Sequence, residues 1–238
     1  MRAVRILASL ALAALVLAVA AWAVSRSPSF QFYGGLVHRV ETGDSVVALT
    51  FDDGPTPDGT REILAILDTL DVRASFFLTG REMRENPGLA RRIVEAGHEL
   101  GNHSYSHERM YFASEARLRG EIETTDSLIR REGFTGPIFF RPPYGKKLLD
   151  LPRYLDRTGR TTVTWDVDPE SGGAATAPEL VAATLEKARP GSIILLHVMY
   201  GSREQSRLAV PGIVRGLRAR GFRFVTLSEL LREERPSP

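Results

Sequence analysis

From Val46 onward, apolar and polar positions follow two alternating patterns. Short apolar runs stopped by Gly, Pro or a polar residue read as strands, and longer stretches with apolar residues at helical spacing read as helices. Strands are expected at Val46–Phe51, Ala74–Leu78, His98–Leu100, Pro137–Phe140, Thr161–Val167, Ser192–Leu196 and Phe222–Thr226. Helices are expected at Thr60–Leu70, Pro87–Ala96, Ser114–Arg131, Leu148–Arg157, Pro178–Ala188 and Gln205–Arg220, and a terminal one capped by Ser228 and running through Arg232. Pro87–Ala96 has Pro at its start and Gly97 beyond its end, the usual asymmetry of helix termini.

Strictly alternating strands and helices argue for an α/β fold of parallel strands with helical crossovers. Asp52-Asp53, Asn102-His103, Arg141, Asp166 with Asp168, and His197 each follow the C-terminal end of a different expected strand. In an α/β barrel those ends share one face, where active sites are built. An open sheet would spread them along an edge, with a crevice only at its switch point. The pattern therefore predicts a distorted (β/α) barrel of about seven parallel strands.

The first 25 residues have a different pattern. Arg2 and Arg5 precede an uncharged stretch, Ile6 to Val24, of Leu, Ala and Val. It has the length of a membrane span and no polar face, which argues against a buried core helix. Ala21-Trp22-Ala23 offers a cleavage site, but the length favours an uncleaved anchor over a cleaved signal peptide. The arginines favour an inside N-terminus, placing the rest outside the cytoplasm at the cell membrane, or secreted if the segment is cleaved. Residues 26–45, with Ser, Pro and Gly-Gly, read as a linker, and 46–234 as the catalytic domain. Since the regular pattern begins only at Val46, a chain starting near Ser27 is expected to fold and work.

Composition narrows the chemistry. The 238-residue chain is 43% hydrophobic and 25% charged, ordinary for a globular protein, and its net charge of +2 is too small to imply a nucleic-acid partner. It has no cysteine, so a metal site must use His and carboxylate. His103-Ser104-Tyr105-Ser106-His107 places two of the five histidines four apart, the spacing of one face of a helical turn. Asp53 or Asp52 could supply a third ligand, leaving an open coordination position, as catalytic zinc sites require. The spare aspartate would be available as general base. His197, ending the apolar run Ile193–Leu196, is a candidate general acid. Pro142-Pro143 stiffens the loop after Arg141, which suits a fixed charge beside a base. His38 and His98 lack a partner pattern and read as structural.

These motifs together resemble the polysaccharide deacetylases of the NodB-homology type, the fourth family of carbohydrate esterases. The resemblance rests on Thr50-Phe51-Asp52-Asp53-Gly54, His103 to His107, Arg141-Pro142-Pro143-Tyr144-Gly145, Trp165-Asp166-Val167-Asp168 and Leu195-Leu196-His197, in family order. It implies a distorted (β/α) barrel and metal-dependent removal of N-acetyl groups from amino-sugar glycans. It also implies Asp53, His103 and His107 as ligands of a divalent metal, usually zinc. Asp52 would be the base, His197 the acid and Arg141 the residue that tunes Asp52. The backbone N–H of Tyr144 would bind the oxyanion.

Two features depart from the family. Pro169-Glu170-Ser171-Gly172 stands where many members have an Asp-Trp pair supporting the catalytic His, and Val198 where many have Asp. Strand alternation puts Asp166 and Asp168 on one face, with Asp168 nearer the strand end. Asp168 is therefore the expected carboxylate partner of His197, with Glu170 second. The expected substrate is a glycan of peptidoglycan or chitin type. The alternatives are O-acetylated polysaccharide, N-formylated lipid-linked sugar, or a non-catalytic glycan-binding protein of the same fold.

Overall fold

The computed structural model describes residues 2–234. In chain order the elements are α1 (Arg2–Arg26), β1 (Leu36–Val37), β2 (Val46–Asp52), α2 (Pro57–Leu70), β3 (Ser75–Leu78), α3 (Gly80–Glu85), α4 (Leu89–Glu95), β4 (Glu99–Asn102), α5 (Glu115–Arg131), α6 (Asp150–Arg157), β5 (Thr162–Val163), α7 (Ala177–Lys187), β6 (Ile193–His197), α8 (Glu204–Ala219), β7 (Arg223–Val225) and α9 (Leu227–Arg232). Every pairing between these strands is parallel. The result is the parallel α/β fold that the alternating pattern predicts.

Strand β2 is central and every one of its residues is buried. It pairs with β6 along Ala48–Asp52 on one edge. The opposite edge is shared, with β7 along Val46–Ala48 and β3 along Thr50–Asp52. From β3 the sheet continues to β4. Single bridges then join Asn102 to Phe140 and Phe140 to Thr162 of β5, and Val167 returns to Ile194 of β6. Alternation along β2 sorts its side chains between two cores. Val47, Leu49 and Phe51 face the layer of α2 and α8, with Ile63, Leu67, Val210 and Ile213. Val46 and Ala48 face Phe77, Val163 and Ile193. Thr50 and Asp52 lie on this second face.

The differences from the sequence pattern have local causes. Pro137–Phe140 is not a strand: Phe140 alone bridges, since Pro137 offers no donor at one end and Pro142-Pro143 stop the pairing just beyond Arg141. The expected strand Thr161–Val167 shortens to β5, and β1 pairs with it from within the stretch read as linker. Gly80 does not merely end β3. It starts α3, whose cap is Thr79, with its side chain accepting from the Glu82 N–H. Helix α9 is capped by Thr226 and Glu229 in a capping box rather than by Ser228, which donates to Glu99 instead.

Helix α1 is the one described helix long and apolar enough to cross a membrane. Its C-terminal end is fastened to the body. The Ser25 carbonyl accepts from the Lys147 N–H at 3.1 Å, and the Ser25 hydroxyl accepts from Tyr111 at 3.2 Å. The Lys147 ammonium, 2% exposed, donates to the Ser27 carbonyl at 2.6 Å. The Thr164 hydroxyl donates to Pro28 O at 2.5 Å. Residues 25–28 thus form part of the folded body, although no periodic pattern marks them.

Two outcomes are expected from this packing. A chain beginning at Ser29 loses both carbonyl partners of Lys147, and its melting temperature should fall below that of one beginning at Ser25. Leaving a buried donor unpaired costs about 1–3 kcal/mol; equal melting temperatures would contradict it. A Cβ on Gly101 would lie 2.5 Å from Phe77 Cδ1. Gly101→Ala should therefore destabilise by about 1–3 kcal/mol in urea unfolding, as overpacking does.

Candidate active site

The C-terminal strand ends surround a cavity of about 410 Å³ lined by Asp52, Asp53, His103, His107, Tyr144, Trp165, Asp168 and His197, with Arg26, Lys146 and Arg203. A larger cavity of about 590 Å³ lies at the opposite strand ends, around Arg73, His98 and Glu99. Its polar groups are already used: His98 Nδ1 accepts from the Ala74 N–H, and Glu99 accepts from Ser75 and Ser228. Burial lowers His98 to a pKa of about 4, so it is a neutral structural residue.

Asp52 and His197 are directly paired residues of β2 and β6, which sets acid and base candidates side by side. Asp52 is 2% exposed and Arg141 fully buried. The guanidinium donates to Asp52 Oδ1 at 2.6 Å, to Thr50 Oγ1 at 3.0 Å, and to the carbonyls of Val163 and Thr164 at 3.3 and 3.0 Å. The Phe77 ring lies 4.0 Å from its centre. Burial alone would raise the pKa of Asp52, but the charge of Arg141, aided by His103 and His197, outweighs it and holds the carboxyl below its ordinary value. Asp52 is therefore ionised, with Oδ1 held by Arg141 and Oδ2 3.6 Å from His103.

Asp53, His103 and His107 present ligand atoms all within 4.8 Å of one another. His103 Nδ1 lies 2.8 Å from the Arg141 carbonyl, an acceptor only, so Nδ1–H donates there and Nε2 is the nitrogen left to ligate. Burial, then the neighbouring His103, lowers His107 to about 4, which keeps that ring neutral. Asp53 Oδ1 is buried with no hydrogen-bond partner, 3.4 Å from His107 Nε2 and 3.9 Å from His103 Nε2. An orphaned carboxylate oxygen facing the Nε2 atoms of two histidines fits a divalent cation of the zinc class. These three residues would hold it.

The histidine pair does not lie on a helical turn. Residues 103–107 form an irregular loop, with Ser104 and His107 at φ 65° and 60°. Asn102 Oδ1 accepts from the Ser104 N–H, and Ser104 Oγ from the His107 N–H. Glu121 accepts from the N–H groups of Tyr105 and Ser106. Asp53 and Tyr144 are also left-handed, at φ 75° and 59°. Four of the six described non-glycine residues with positive φ thus line this site or its loops. Tyr144 sits in the turn after Arg141, where Gly145 and Lys146 donate the internal hydrogen bonds, and its ring packs 4.7 Å from His107.

The expected pairing of Asp168 with His197 does not form. Asp168 Oδ1 accepts from the backbone N–H groups of Glu170 and Ser171, closing the loop on itself. That turn swings Glu170 back onto His197. Glu170 Oε2 lies 2.5 Å from His197 Nδ1, and Oε1 accepts from the His197 N–H and from Ser206. Burial works against a charged His197, but this hydrogen bond and the Asp52 charge outweigh it and raise its pKa. Burial likewise opposes ionised Glu170, and its bonds to His197 win, so its pKa is lowered. Asp166, on the same run, instead ties β6 through Ser192 and the Ile193 N–H. Arg207 steadies the loop after β6, donating to the carbonyls of Val198 and Tyr200 at 2.8 Å each. No spacing in the sequence marks Glu121 or Arg207 for these tasks.

Comparison with known proteins agrees with this geometry. A family profile described as polysaccharide deacetylase matches residues 39–163. The chain is 36% identical over 185 residues to a peptidoglycan-N-acetylglucosamine deacetylase of Bacillus cereus, covering 77% of this chain and 67% of that protein. A crystal structure of a peptidoglycan N-acetylglucosamine deacetylase bound to a substituted benzamide superposes with a TM-score of 0.78 at 33% identity, covering 84% of this chain and 95% of the other. A pseudoenzyme from Bacillus anthracis, assigned to the fourth family of carbohydrate esterases, superposes with a TM-score of 0.75 at 29% identity, covering 88% and 71%. With its strand-end motifs gathered at one cavity, the chain belongs to the polysaccharide deacetylase family.

Proposed function

We propose that the protein hydrolyses N-acetyl groups of amino-sugar glycans of the cell envelope, using a divalent metal, zinc by its donor set. What carries the reading is the orphaned Asp53 oxygen between the Nε2 atoms of His103 and His107, flanked by a carboxylate of lowered pKa and an imidazole of raised pKa. The apolar helix α1 supports a membrane location, and Arg2 and Arg5 in its first turns support a catalytic body outside the cytoplasm.

A cation held by Asp53, His103 and His107 supplies Lewis acidity, making water nucleophilic near neutral pH and polarising a carbonyl. Asp52 accepts a proton from the attacking water through Oδ2, while Arg141 fixes Oδ1 and keeps the carboxylate ionised. Water oxygen bonds to the acetyl carbon, and the carbonyl oxygen gains negative charge. We assign the Tyr144 N–H, which the turn's own hydrogen bonds do not use, as the donor to that oxygen. His197 donates its Nε2 proton to the departing nitrogen as the C–N bond breaks, leaving acetate and a free amine. Glu170 holds the ring by Nδ1 and favours its charged form. The intact ligand set, base and acid argue against a purely binding role.

The direct test is acetate release from N-acetylglucosamine oligomers by the zinc-loaded full chain, lost with a chelator and restored by zinc. Asp53→Ala should lower bound metal, whereas Asp52→Asn should keep the metal and lose turnover by roughly 10²–10⁴-fold. Equal metal loss in both would refute the division of roles.

The pH profile has a worked sign. His197 acts as an acid below its raised pKa, so that pKa sets the alkaline limb. Glu170→Gln removes the charge that raises it and should move that limb to lower pH with metal content unchanged. Asp168→Asn should leave the limb where it is; the reverse pattern would restore Asp168 as the partner.

A further inference from the structure

We propose that the mouth of the catalytic cavity is an anion-binding rim, built by Arg26, Lys146 and Arg109 around the Tyr144 ring, that selects N-acetylated glycans carrying a carboxylate or phosphate near the acetamido group. Its catalytic consequence rests on the deacetylase reading above.

Arg26 and Lys146 line the same cavity as Asp52, Asp53 and the two ligand histidines. The Arg109 guanidinium lies 5.0 Å from the Tyr144 ring centre and the Lys146 ammonium 5.8 Å from it. Arg26 is close enough to Lys146 that, after desolvation and Arg109, its charge helps lower the Lys146 pKa. None of the three has an ion-pair partner among the described residues. Glu108, beside Arg109, is taken by Arg117 at 2.6 Å. The cavity's carboxylates are committed elsewhere: Asp52 to Arg141, Asp53 to the ligand set, and Asp168 to its own loop. Arg203, the third cation lining the cavity, differs in lying 3.8 Å from Glu170. Like charges gathered without a counter-charge repel, and an anionic ligand relieves that cost.

Arg26 is delivered there by a built attachment. It follows Ser25 and precedes Ser27, whose carbonyls accept from the backbone and the ammonium of Lys147. Lys147 is almost wholly buried, and burial lowers its pKa to about 8. A desolvated lysine committed to this segment fastens residues 25–28 to the body, and of these Arg26 lines the cavity. Phospholipid headgroups at the end of α1 are the other source of anions. Against them, Arg26 and Lys146 face the cavity that holds the catalytic carboxylates.

The test uses the full zinc-loaded chain in a neutral detergent, free of anionic lipid. Three oligosaccharides of one length are compared: a neutral N-acetylglucosamine oligomer, one with lactyl carboxylates on alternate sugars, and one bearing a phosphate monoester. The wild type should prefer an anionic oligomer. In Arg26→Gln/Lys146→Gln the ratio of kcat/KM for anionic over neutral substrate should fall by about three- to tenfold, the size expected of two exposed ion pairs. The fall should lie in KM, and the preference should fade with added salt. An unchanged ratio overturns the rim. If no oligomer releases acetate, the deacetylase reading fails but the rim is still tested: Kd values from titration calorimetry should favour the anionic oligomers in the wild type and not in the double variant. Equal Kd values would overturn it. Loss of binding to phosphatidylglycerol vesicles in the double variant, with the glycan ratio intact, would overturn it too and give the cations to the bilayer.

Discussion

A fully buried guanidinium is the constraint on which the site depends. A cation taken out of water costs several kcal/mol unless its donors and its charge are all matched. Arg141 meets that demand with a carboxylate, a hydroxyl and two backbone carbonyls, roofed by an aromatic ring. Those partners come from β2, from β5 and from the residue after it, so the charge can be satisfied only when the strands are assembled in this order. The same residue acts at two further points. It fixes which oxygen of Asp52 is free, and its own carbonyl fixes the His103 tautomer. The geometry of Asp52, the proposed base, and of His103, a proposed ligand, is thus set by one buried residue. This is also why Gly101 matters: the Phe77 ring against Arg141 occupies the space that a side chain there would need.

The second constraint is strain. Asp53, Ser104, His107 and Tyr144 all hold left-handed backbone angles that bulky side chains adopt at a cost of order 1–3 kcal/mol each. The surrounding hydrogen bonds over-determine them. The Asp53 N–H donates to the Phe77 carbonyl, and Glu121 gathers the N–H groups of the histidine loop from α5. Backbone held this way presents ligand atoms from a strand end and a loop at fixed separations before any cation binds.

Much of this was legible in the sequence. The parallel α/β class followed from alternating patterns, and each site residue at a strand end followed from where the apolar runs stop. What was not legible lies in irregular backbone. A four-residue spacing suggested a helical turn for His103 and His107, because periodicity assumes regular angles that Ser104 and His107 do not have. Alternation favoured Asp168 over Glu170, because it assumes that the strand continues; the Asp168 side chain instead turns the chain and reverses the order of reach. The docking of residues 25–28 leaves no pattern, since it depends on carbonyls and a single buried lysine.

Asp52 and His197 sit opposite each other on paired strands. A carboxylate and an imidazole on paired positions of neighbouring strands could be spent on neutralising each other. Here each has its own counter-charge on the far side: Arg141 behind Asp52, Glu170 behind His197. The pKa of Asp52 is therefore lowered despite complete burial, and that of His197 raised despite desolvation. Environment, not residue type, drives the two candidate groups apart. The two protonation states coexist over one pH range bounded below by Asp52 and above by His197. Amide hydrolysis requires that coexistence, because its nucleophile must lose a proton and its leaving group must gain one within a single site.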